Sequence, residues 1–143
     1  MKKLLAILAL WLLPLLAFGQ GSPGNFSAVL LPSAARTTTP VNSPDMQNII
    51  FHGAHVVVNV TAFTAGTYTA HVQGKDVLSG NYYDICVGTA IGSVSTNIIK
   101  VFPGITASAN VACGDILPRV WRVQLIGATG QSMTFSVSAS LMQ

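Results

Sequence analysis

The chain has 143 residues, half of them hydrophobic and only 8% charged, with no glutamate. That balance excludes an intrinsically disordered chain, which needs low hydrophobicity and high charge, and disfavours a long solvated helix rich in Glu and Lys. The formal net charge of +3 includes Lys2 and Lys3; without them five Lys and Arg face four Asp, a net of +1, which is no basic footprint for nucleic acid.

Residues 1–19 read as a secretory signal peptide. Lys2 and Lys3 form the charged start, Leu4 to Phe18 is an uninterrupted apolar run, and Ala17-Phe18-Gly19 sets small residues at the two cleavage-specifying positions. The mature protein is then expected to begin at Gln20. The rival, a retained anchor, needs roughly 20 apolar residues, and this run is shorter and holds Pro14. The expected location is secreted or extracellular, with periplasm or cell surface as alternatives, and no membrane contact once the leader is cleaved.

Residues 20–47 are expected to be a linker and an N-terminal arm, with the domain proper over 48–143. The arm holds one short strand, Phe26 to Leu31, closed by Pro32. Thr37-Thr38-Thr39 reads equally as an edge strand or as coil. Its apolar residues Phe26, Val29, Leu30 and Leu31 are too hydrophobic to stay free in water. They suit strand addition to the domain's own sheet edge or, in an assembled form, to a neighbour's.

A run at Asn48-Ile49-Ile50-Phe51 opens the β pattern. Ala54 to Phe63 follows, with Val56, Val58, Val60 and Ala62 on one face, then Thr67 to Gln73 with Tyr68, Ala70 and Val72. Thr64-Ala65-Gly66 between them has the form of a three-residue hairpin loop, which sets Val58 opposite Val72 and Val60 opposite Ala70. Asn81 to Val87 is a strand with Tyr83, Ile85 and Val87 inward, and Gly88 to Gly92 a turn. Ser95 to Phe102 is a strand, and residues 105–117 are a connection that changes sheets. Residues 118–142 read as a second hairpin around Ala128-Thr129-Gly130, pairing Trp121 with Val137, Val123 with Phe135 and Leu125 with Met133. Seven to eight short strands and no helical period indicate an all-β fold, an antiparallel β-sandwich, with a small closed barrel as the alternative.

Chemistry is sparse. His52 and His55 are the one close His pair, but residues three apart on a strand point to opposite faces and no third ligand is near. His71 faces Asn59 as a solvated histidine, and most of the four Asp sit beside turns. No nucleophile elbow, phosphate loop or His-Glu-x-x-His motif occurs, so no catalytic, cofactor or metal residue is assigned. Cys86 and Cys113, an even pair in an exported chain, are expected to form a disulfide. Asn25-Phe26-Ser27 and Asn59-Val60-Thr61 match the glycosylation sequon, a motif common by chance.

Several segments from Ser33 onward carry a resemblance. They are Ser33 to Thr37, Val57 to Ala62, Val72 to Tyr83, Val101 to Thr106, Leu117 to Val123 and Ser136 to Leu141. Together they resemble a family of small β-rich proteins encoded by tailed bacteriophages among structural virion genes. The shared motifs are turns and strand ends. The resemblance implies a non-enzymatic β-domain in or on an assembled particle and carries over no catalytic residue. The leader departs from it, since virion proteins of tailed phages assemble in the cytoplasm. The expected function is therefore an exported, self-associating structural subunit, a homo-oligomer or fibre. The alternative is a secreted module that binds a glycan or a cell-surface partner.

Overall fold

A computed structural model describes residues 24–128 and 130–143; the expected leader lies outside them. Ten strands follow one another: β1 Phe26–Arg36, β2 Val41–Asn42, β3 Met46–Gln47, β4 Gly53–Ala65, β5 Tyr68–Lys75, β6 Tyr82–Ile91, β7 Ser95–Val101, β8 Ala112–Cys113, β9 Val120–Gly127 and β10 Ser132–Met142. The first sheet has the order β1-β10-β4-β7-β8; the second runs β2-β9-β5-β6, with β3 also on β9. The two sheets are open and face each other, an all-β sandwich. Every pairing between these strands is antiparallel except β7 with β8.

The alternating residues fill the space between the sheets. Val56, Val58, Val60, Tyr68, Ala70, Val72, Trp121, Val123, Leu125, Met133, Phe135 and Val137 are all buried, as the period of two requires. Their strand partners differ from those expected. β4 pairs with β10 and β7, and β5 with β9 and β6, so neither predicted hairpin exists. Val58 lies beside Val137 and Asn97, while Val72 lies beside Val123 and Cys86. Trp121 and Val137 sit in different sheets, as do Val123 and Phe135, and Leu125 and Met133.

Both links are arches that carry the chain from one sheet to the other. Alternation dictates which side chains point inward, and it reads the same whether the next strand lies beside the first or across the core. From Ala65 to Tyr68 the chain takes three Cα steps of about 3.8 Å, enough for the roughly 10 Å between stacked sheets. The two arches lie against each other, β10 beside β4 and β9 beside β5. Gly66 (φ 75°) and Gly130 (φ 77°) supply the left-handed turns. At Gly66 the backbone also passes so near Gln131 that a Cβ would lie 2.5 Å from the Gln131 Cα.

Other local expectations change for identifiable reasons. β1 does not stop at Pro32 but continues to Arg36 through two register shifts, between Val29 and Leu31 and between Leu31 and Ala34. A proline is tolerated there because β1 is an outer strand and the ladder is already irregular. The arm is thus part of the sandwich, and the expected boundary at residue 48 does not separate it from the core. Asn48 to Phe51 is a bend, since the Asn48 side chain captures the Phe51 backbone in both directions, at 2.7 and 2.9 Å. β6 extends through the expected turn at Gly88 to Ile91 and turns Cys86 and Gly88 inward; Tyr83 is therefore half exposed at 49%, not in the core. The connection after β7 does cross to the second sheet, adding β8 on the way.

Candidate functional site

The strand predicted to mediate assembly is β1, and its sequence explains how it sits. Leu30 and Leu31 are both buried because the register shift between Val29 and Leu31 breaks strict alternation. Each contributes about 1.5–3 kcal/mol of burial, which holds the arm to its own domain. Phe26 and Val29 stay outside, 51% and 73% exposed. Phe26 stacks on Phe51, ring centroids 6.3 Å apart.

Arg36 secures the far end of the arm. Its guanidinium donates to the Phe135 carbonyl and to the carbonyls of Ala34 (3.1 Å) and Pro32 (2.7 Å), and lies 4.3 Å from the centroid of the Phe135 ring. Partial burial pulls the Arg36 pKa down from its ordinary value. This clamp was not legible in the sequence, where Arg36 is an isolated charge in a polar stretch.

Among the described residues β1 has no strand partner along its other side, and between Phe26 and Ala35 it carries no charge. Charge is one of the usual defences of an exposed edge. Pro32 and the register shifts protect the middle, whereas Phe26 to Val29 keep a regular register with Leu141 to Ser138. The opposite side of the sandwich is stapled: Cys86 of β6 and Cys113 of β8 form a disulfide between the sheets, with Cα atoms 5.7 Å apart.

The outer face of the second sheet carries a polar network. Asp84 accepts from Gln73 (2.8 Å) and contacts His71 Nδ1 (2.9 Å). Gln73 also contacts Gln124 (3.2 Å) and accepts from Arg122 (2.9 Å), and Gln124 donates to Asn42. Arg122 lies 3.4 Å from the Tyr82 ring centroid, and Tyr82 and Lys75 both donate to Asp45. Those two bonds, Lys75 first, hold the Asp45 carboxyl below its usual range. Both Asp84 oxygens and both Gln73 amide atoms are thus engaged within the face. No Ser, Thr or Cys side chain joins the His71–Asp84 pair among the described residues.

His52 is exposed in the bend before β4, and His55 lies beside Lys100 in the strand register. Among the described residues no group of three or more His, Cys, Asp or Glu converges. Tyr68 and Trp121 are core residues, as alternation predicts. No protein-family model matches the chain, and no curated protein or solved structure matches it.

Proposed function

We propose that this protein is a non-enzymatic structural subunit that is exported and self-associates through the free edge of β1 into an extracellular or virion-related assembly. The observation that carries the reading is an eleven-residue outer strand with one hydrogen-bonded neighbour among the described residues, no charge before Arg36, and two exposed large apolar side chains. Strand addition to such an edge satisfies backbone groups and covers Phe26 and Val29 in one step. The inter-sheet disulfide supports export, because such bonds persist in oxidising compartments. The virion-related form of the reading rests on the resemblance to tailed-phage proteins alone.

The glycan-binding alternative has less to rest on. Tyr68 and Trp121 are buried and Tyr82 is covered by Arg122, which leaves Tyr83, 49% exposed, without a row of rings on the second sheet. Electron microscopy and light scattering of the purified, disulfide-bonded protein test the proposal. Rings, fibres or a discrete multiple of the subunit mass are expected. A single subunit mass at every concentration would rule the proposal out.

A further inference from the structure

An open-sided cleft of about 520 Å³ lies at the end of β7, lined by His55, Lys100, Phe102, Pro103, Gly104, Ile105 and Met142. That volume is within the roughly 300–1,000 Å³ of small-molecule sites. The cleft is built by the chain's turn after β7. Gly104 adopts φ 79°, which turns Ile105 back toward the sheet, and the Ile105 N–H donates to the Phe102 carbonyl at 3.2 Å. Gly53 lets Phe102 lie directly on β4, since a Cβ there would meet the Phe102 Cδ2 at 2.5 Å and the Val101 carbonyl oxygen at 2.3 Å.

His55 and Lys100 are the polar side chains that line this cleft. His55 and Lys100 are cross-strand partners and stand side by side. No carboxylate lines the cleft, and neither side chain has a hydrogen-bond or ion-pair partner among the described residues. The His55 Nε2 is buried and has no partner among the described residues, so Lys100 is the group of this pair that a molecule in the cleft can reach. The remaining lining residues are apolar apart from Gly104.

We propose that this cleft binds a small amphipathic carboxylate, its apolar body against Phe102, Pro103, Ile105 and Met142 and its carboxylate on the Lys100 ammonium. A cation beside an apolar wall selects an anion with a hydrophobic body over a neutral molecule of the same shape. None of the residues lining the cleft belongs to β1, and the proposal does not depend on the assembly reading.

The test is a titration of the disulfide-bonded protein with sodium octanoate and, separately, with 1-octanol, followed by two-dimensional amide and methyl NMR. Saturable shifts confined to residues 100–105, His55 and Met142 are expected, with octanol binding about tenfold more weakly, the order expected for losing a charge-assisted bond. Lys100→Gln should lower octanoate affinity by a similar factor and leave octanol unchanged, and Lys100→Arg should restore it. Lys100 is exposed, so these variants leave the fold intact. Equal binding of octanoate and octanol would overturn the proposal, as would scattered or non-saturable shifts or an unchanged affinity in Lys100→Gln.

Discussion

Tyr68 of the second sheet meets Phe135 of the first edge-on, ring centroids 5.2 Å apart and planes at 66°. The pair joins the two arches across the core, and the arm closes over it. The Tyr68 hydroxyl donates to the Thr38 carbonyl at 2.8 Å, and Arg36 covers the Phe135 ring. Phe135→Ala should therefore cost about 3–5 kcal/mol. Tyr68→Phe, which removes only the hydroxyl, should cost about 0.5–1.5 kcal/mol. Urea denaturation of both variants checks this; a Phe135→Ala cost below that of Tyr68→Phe would contradict the packing.

The Cys86–Cys113 bond closes a loop of sequence separation 27. The chain-entropy model gives roughly 3–4 kcal/mol for a loop of that size. The double variant Cys86→Ala/Cys113→Ala should lose about that much, measured by denaturation of the oxidised protein against the variant. Equal stabilities would show that the staple constrains nothing.

The two arch glycines should respond differently to the same change. Both have positive φ, which disfavours any side chain by about 1–2 kcal/mol. Gly130→Ala meets nothing within 4 Å and should cost that alone. Gly66→Ala also forces a Cβ onto Gln131 backbone and side chain, so its loss of stability should be the larger. Thermal melts of the pair decide it; a Gly66→Ala no worse than Gly130→Ala would mean that the arches do not press together.

Asp76 caps the β5–β6 turn. Its hydrogen bonds from the Ser79 hydroxyl, the Ser79 N–H and the Leu78 N–H hold its pKa below the ordinary carboxylate value. Asp45 is lowered in the same sense by Lys75 and Tyr82, and Lys75 is raised, as one shared ion pair requires. A depressed folded pKa means the contribution is present above the unfolded value, about 3.9, and is lost as pH falls through the folded pKa. Carboxyl NMR titrations of Asp45 and Asp76 should therefore have midpoints below 3.9, and the Ser79 amide should move with Asp76. Midpoints at or above that value would refute these bonds.

The sequence made the sandwich and most of its core legible because period-two alternation reports burial directly, as at Val56, Val58 and Val60. It could not report strand neighbours: Val58 and Val72 face the core from opposite sheets, and a hairpin would have given the same alternation. Tyr83 lies outside the core that alternation predicts because β6 turns Cys86 and Gly88 inward, where the disulfide and the close approach of Ile99 to Gly88 set the strand's orientation. For the site, the apolar character of Phe26, Val29, Leu30 and Leu31 was plain, but the split between buried Leu30 and Leu31 and exposed Phe26 and Val29 depends on a register shift with no local signature. The pairing of His55 with Lys100 arises from strand register over a long separation, beyond what local spacing reveals.

The most direct test of assembly through β1 is light scattering on the Val29→Lys variant beside the unaltered protein. Val29 is largely exposed, so a lysine there leaves the core untouched while placing a charge on the free edge. The unaltered protein should gain mass with concentration, whereas Val29→Lys should stay a single subunit with an unchanged melting temperature. Equal masses for the two proteins across the whole concentration range would rule out assembly through this edge.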